Sequence, residues 1–154
     1  MEHSPTSANR LALSATVHCL TGCAIGEVLG LVIATALGWH DLPSVILAIV
    51  LAFVCGYGLT IRPLVLSGIP LRQAGRLAFA SDTLSIVTME VVDTVIVLAV
   101  PGAMAAGLVD PLFWGSLAVA LVVAGAVAYP VNRWLIARGK GHALVHEAHG
   151  GMTR

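Results

Sequence analysis

Four long apolar runs, at residues 11–37, 42–61, 77–100 and 112–131, constrain this chain more than any motif in it. A helix that crosses the hydrocarbon core of a bilayer needs about 20 predominantly apolar residues at roughly 1.5 Å rise each, and every run meets that length. Backbone groups in hydrocarbon must satisfy their own hydrogen bonds, so the runs are expected to be helices. The fold class that follows is all-α: an integral membrane four-helix bundle with helices at about 11–39, 42–61, 77–100 and 112–135. The separators read as turns, with Gly38 and Trp39 before Pro43, Arg62-Pro63 through Gly68-Ile69-Pro70, and Pro101-Gly102 through Asp110-Pro111. Residues 1–10 and 137–154 then flank a transmembrane domain at 11–136.

Composition narrows the class further. Apolar residues make up 58% of the chain and charged residues 10%, with a mean hydropathy of +0.94, which excludes an ordinary soluble domain. Eight basic residues balance eight acidic ones, so there is no basic excess for nucleic acid. The three cysteines all sit in hydrophobic sequence, unlike the loop-borne framework of a small disulfide-rich protein.

Basic residues set the expected direction. Arg10 precedes the first run, Arg62, Arg72 and Arg76 lie between the second and third, and Arg133, Arg138, Lys140 and Arg154 follow the fourth. The two opposite loops carry only His40, Asp41 and Asp110. Positively charged loops stay cytoplasmic, which predicts both termini inside and a bacterial inner (cytoplasmic) membrane location. Trp39, Phe113 and Trp114 are expected at the outer interface, and Tyr57, Tyr129 and Trp134 at the inner one. No cleavable signal peptide is expected, since the run after Arg10 is too long and lacks a small-x-small site at its end. A weak internal repeat, with Asp41 then Tyr57 and Arg62 echoed by Asp110 then Tyr129 and Arg133, suggests a parallel repeat of two hairpins; two copies with drifting spacing also arise by chance.

Five ionisable side chains lie at membrane depth: His18 and Glu27 in the first run, Asp82, Glu90 and Asp93 in the third. Each costs roughly 2.5–3.5 kcal/mol on insertion scales, so such residues normally face a bundle interior or a water-filled route. Four carboxyls without an intramembrane Lys or Arg must be protonated, hydrated, hydrogen-bonded together or bound to a cation. At 100° per residue, Cys19, Cys23 and Glu27 share one face of the first helix beside a Gly22, Gly26 and Gly30 stripe. Asp82, Ser85, Met89 and Asp93 form a polar stripe on the third, flanked by Glu90. Counting from Arg10 and Arg76 sets Cys19 level with Ser85, Cys23 with Met89 and Glu27 with Asp93. Cys55 is expected near the Cys19 level.

Cys, Met and His are ligands for soft or borderline cations, whereas carboxylates suit harder ions and protons. The candidate metal ligands are therefore Cys19, Cys23, Met89, His18, Glu27 and Glu90, with Cu(I) or Zn(II) as the ion. Asp82, Ser85 and Asp93 are candidates for a proton or polar path. Bland readings compete: cysteine and methionine are ready core residues, and the acidic stripe with Ser85 and Thr88 could be an interhelical hydrogen-bond network. The tail histidines His142, His146 and His149 could collect metal or simply be solvated.

The stretch from His18-Cys19 through Gly22-Cys23 to Gly26-Glu27, with Asp82-Thr83-Leu84-Ser85 and Met89-Glu90-Val91-Val92-Asp93, resembles a bacterial domain-of-unknown-function family of small four-helix membrane proteins. The likeness covers nearly the whole chain and implies fold and membrane location but little biochemistry. A more distant likeness is to the small mercury-uptake membrane proteins, from which Cys-x3-Cys spacing and the acidic third helix depart.

The expected function is therefore binding or transport of a soft transition metal, copper foremost, between the first and third helices. The alternative is a proton-coupled transporter or accessory membrane subunit that uses the carboxyl stripe, with structural cysteines. An enzyme is the less favoured class, because redox thiols of this kind normally sit near the outer face and Cys19 and Cys23 are expected in the cytoplasmic half. The expected partners are the lipid bilayer and a second copy packed on the Gly22/Gly26/Gly30 face.

Overall fold

A computed structural model describes residues 5–39 and 42–138. The expectations for His40, Asp41 and the His142, His146 and His149 tail lie outside those residues. Four helices account for most of the described chain: α1 (Pro5–Ala36), α2 (Leu42–Leu66), α3 (Leu71–Ala99) and α4 (Pro111–Ala137), with a 3-10 turn at Ala103–Ala105. No strand occurs among the described residues.

Local chemistry sets the helix ends. α1 stops where Gly38 takes a left-handed φ of 68° and the Trp39 amide returns to the Ala34 carbonyl at 2.8 Å. α2 ends the same way, at Gly68 (φ 92°) with the Ile69 amide on the Leu64 carbonyl, and Pro70 prevents continuation. α4 opens at Pro111, where the missing N–H costs nothing, behind Asp110, whose Oδ1 accepts from the Leu112 amide at 2.8 Å.

Three boundaries differ from the sequence expectation by five residues or more. α2 runs through Pro63 to Leu66, where an end at 61 was expected; α3 begins at Leu71, where 77 was expected; and α1 likewise begins early, at Pro5, where 11 was expected. Leu64 explains the first, since it is fully buried against Ile69 and Ala74 in a small core of its own, and that packing holds the last turn despite the lost hydrogen bond. For the second, hydropathy marks where apolar sequence starts and not where helix starts; Arg72 and Arg76 occupy exposed positions in the first turns of α3.

Neighbouring helices run antiparallel. Gly22, Gly26 and Gly30 of α1 lie against Gly56, Ala52 and Ala48 of α2, in descending order. A methyl group built on Gly26 would collide with the Ala52 backbone, so these backbones are in direct contact. This corrects one expectation: the glycine face is filled by α2 of the same chain, which leaves no room there for a second copy. α4 presents Ala120, Ala124 and Ala128 to the interior, and Gly125 packs under Leu20 and Thr16 of α1.

The bundle holds buried polar side chains within a largely apolar core and is greasy outside. Leu13, Val54, Leu98 and Val122 are more than half exposed, while Asp82 and Ser85 are wholly buried. That distribution suits a lipid solvent. α1, α2 and α4 are each long and apolar enough to cross a membrane. The antiparallel order brings Arg10, Arg62, Arg72, Arg76, Arg133 and Arg138, all exposed, toward one end of the bundle. There the Arg138 guanidinium lies 4.1 Å from the Trp134 ring centroid. Trp39, Phe113 and Trp114 occupy the opposite end, with the Trp114 indole donating to the Leu108 carbonyl at 2.9 Å.

Candidate functional site

The inward face of α2 is a stripe of buried residues four apart, Ala52, Gly56, Thr60 and Leu64, and its one polar member reaches two other helices. Thr60 Oγ1 donates to Asp82 Oδ2 of α3 at 2.5 Å and lies 2.9 Å from His18 Nε2 of α1. Ser81 Oγ donates to the other Asp82 oxygen at 2.6 Å. His18, Thr60, Asp82 and Ser81 thus form one network across three helices, on the arginine-bearing side of the core. Nearby, Asn132 Nδ2 of α4 donates to Thr16 Oγ1 of α1 at 2.9 Å, and the Tyr57 hydroxyl of α2 meets Thr83 of α3 at 2.8 Å. Tyr57 thus ties α2 to α3 from a half-buried position.

The next layer is sulfur and hydrocarbon. Cys19, Cys23, Ile86 and Met89 are buried together with Ala52, Ala124 and Ala128. Cys19 lies beside Ser85 and within electrostatic range of Asp82. All three cysteines are free thiols. Cys55 is half-buried and lies outside this cluster; its backbone faces Gly22, a turn beyond the Cys19 level expected for it.

Beyond the sulfur layer stand Glu27 of α1 and Glu90 and Asp93 of α3. Each is at most 9% exposed. Glu27 is within electrostatic range of both Glu90 and Asp93, and the Cys23 thiol is within hydrogen-bonding reach of Glu90. Both Glu27 oxygens, Glu90 Oε1 and Asp93 Oδ1 are buried without a hydrogen-bond partner among the described residues, as is Ser85 Oγ. The described arginines lie exposed near the bundle end and offer these carboxyls no ion pair. Unpaired carboxyls in such a setting attract a positive charge, the smallest being a proton.

The structure therefore divides the residues read from the sequence. Cys19, Cys23 and Met89 share one cluster; Glu27, Glu90 and Asp93 share another; His18 and Asp82 belong to a third, joined by a threonine. Among the described residues no three His, Cys, Asp or Glu side chains stand in an arrangement that could hold a metal ion. Sequence reasoning missed Thr60, Ser81 and Asn132. The available signal was spacing: Thr60 continues the small-residue rhythm of Ala52 and Gly56, and Asn132 continues that of Ala124 and Ala128.

No curated protein and no solved structure matches this chain. The family model described as Domain of unknown function (DUF4396) matches residues 9–141, a stretch that includes all four helix cores and every residue of the three clusters. With its four helices and apolar exterior in hand, the chain belongs to the DUF4396 family.

Proposed function

We propose that this protein is an integral membrane protein that binds a cation, a proton foremost, at Glu27, Glu90 and Asp93 and passes it through the bundle interior. The observation that carries this reading is the burial of three carboxyls with unpartnered oxygens on the facing helices α1 and α3. A proton suits the cluster better than a metal, because protonating one carboxyl both removes its charge and supplies a donor to its neighbour, with no coordination sphere to assemble. In this reading α3 is the fourth span, with its charged residues turned inward. The arginine end faces the cytoplasm of a bacterial inner membrane, both termini lie on that side, and α1–α2 and α3–α4 are the two hairpins of a parallel repeat.

Proton flux into proteoliposomes, read with an entrapped pH dye under an imposed potential, tests the proposal. Proton transfer by a positioned side chain is worth roughly 10²–10⁴-fold. Glu27→Gln and Asp93→Asn should therefore lower flux by about a hundredfold while the protein still elutes as a folded species. Flux unchanged in both would overturn the reading.

A second reading has its own observation. Cys19, Cys23 and Met89 are buried side by side, and two thiolates with a thioether form a soft donor set for Cu(I), with Zn(II) the borderline alternative. Elemental analysis of protein purified under reducing conditions separates the two readings. Copper or zinc in the wild type and none in Cys19→Ser/Cys23→Ser supports the metal; none in either after Cu(I) loading removes it.

A further inference from the structure

His18, Thr60, Asp82 and Ser81 form a continuous chain of hydrogen-bonding groups across three helices. Asp82 is 0% exposed, and each of its two oxygens receives a hydroxyl, Thr60 at 2.5 Å and Ser81 at 2.6 Å. These lengths fall in the range of hydroxyl-to-carboxylate bonds, and Ser81 Oγ also lies 3.2 Å from the Ala78 carbonyl, the longer of its two contacts. A hydroxyl has a single proton. With Asp82 as a carboxylate, Thr60 gives its proton to Asp82, and in its 2.9 Å contact with His18 Thr60 Oγ1 then accepts and His18 Nε2 donates.

We propose that His18, Thr60 and Asp82 form a proton relay, a second ion-handling site distinct from the Glu27, Glu90 and Asp93 cluster. When His18 is an imidazolium, its Nε2–H bond breaks and a bond to Thr60 Oγ1 forms as the original Thr60 O–H bond breaks and a bond to Asp82 Oδ2 forms. An imidazolium and a carboxylate become a neutral imidazole and a carboxylic acid, and Thr60 ends as the hydroxyl it began. Ser81 holds the second Asp82 oxygen and positions the carboxyl.

Charged and polar groups surround the network on every helix. From α1, Cys19 stands within electrostatic range of Asp82; from α2, Tyr57 is bonded to Thr83 and Arg62 is exposed two residues beyond Thr60. From α3, Arg76 is exposed; from α4, Asn132 is engaged with Thr16 and Arg133 is exposed. Nine residues of α1 separate His18 from Glu27, about 13 Å along the axis, with the Cys19, Cys23, Ile86 and Met89 layer between. The relay therefore sits on the arginine side of that layer and the carboxyl cluster on the other.

The test is ¹⁵N-histidine NMR of the full chain in detergent micelles, with His18 assigned by the signal lost in His18→Gln. Nε2 should be the protonated nitrogen of neutral His18. In Asp82→Asn, whose amide can donate to Thr60 where a carboxylate only accepts, the Nε2–H preference should weaken. Thr60→Val, similar in shape without the hydroxyl, should lose the Nε2–H preference, and Thr60→Ser should retain it. Glu27→Gln should leave His18 unchanged. An Nδ1–H tautomer in the wild type, or an Nε2–H preference unchanged in both Asp82→Asn and Thr60→Val, overturns the relay. Should Asp82→Asn not fold, the contrast of Thr60→Val with Thr60→Ser still decides. The readout is His18 itself, so a failed flux experiment on Glu27→Gln and a failed relay are separate results.

Discussion

At Gly26 the missing side chain is what allows α1 and α2 to touch. A methyl group there would collide with the Ala52 nitrogen and Cα, and backbone cannot step aside as a side chain can. Gly26→Ala should destabilise the protein by about 1–3 kcal/mol or more, the range for overpacking, seen as a lower unfolding midpoint in detergent. Gly58→Ala is the control, since nothing lies within 4 Å of its added carbon and an alanine favours the helix by ~0.5–1 kcal/mol. The glycine stripe was legible in the sequence as a close-approach face, but not its occupant, because any helix with small residues at matching spacing could fill it. Thr60 was illegible for a different reason. Thr16, Thr21, Thr83 and Thr88 each donate to the carbonyl four residues back in their own helix, which any threonine in an apolar helix can do. Only the neighbour across the interface reveals that Thr60 bonds outward.

Among the helices, α3 departs most from its hydropathy. Asp82, Glu90 and Asp93 leave it outside the set that is apolar enough to cross a membrane by composition, yet all three are buried by the other helices. A helix whose charges face protein and whose Val91, Val95 and Leu98 face out can meet lipid with the surface it exposes. We therefore place it across the bilayer, and labelling tests that placement. In a Cys55→Ala background, where the remaining Cys19 and Cys23 are buried, Ser67→Cys and Gly107→Cys flank α3. A membrane-impermeant maleimide applied to whole cells should modify Gly107→Cys and reach Ser67→Cys only after the membrane is opened. Equal labelling of both from outside would remove α3 as a span. The depth alignment of α1 with α3 was readable because both were taken to run the same way from an arginine, and helical rise does the rest. The extra turn of α2 past Pro63 was not readable, since it depends on Leu64 finding Ile69 and Ala74.

At the scale of the whole molecule, an apolar exterior surrounds a core in which acidic and hydroxyl side chains are buried among apolar ones, unlike the surface of a soluble bundle. The exposed arginines gather toward one end and the tryptophans Trp39 and Trp114 toward the other, so the asymmetry counted along the chain becomes an asymmetry of the folded object. Orientation in the membrane follows from that polarity in the reading proposed above, and the same labelling experiment reports which end is outside. Between the ends, two polar stations separated by a layer of sulfur and aliphatic side chains divide the interior.

The chain's own pattern determined that it folds as four helices, that lipid suits its outer faces, and that its carboxyls turn inward, because length and hydropathy are additive along a segment and the cost of burying charge is local. Tertiary structure alone decided which polar atoms meet. The glycine stripe went to α2 and not to another copy, His18 went to Thr60 and not to the thiols, and Glu27 was left beside Glu90 and Asp93 with both oxygens unpartnered among the described residues. Such pairings depend on which helix stands beside which and at what rotation, and that is fixed by steric fit between backbones, a property no single segment carries.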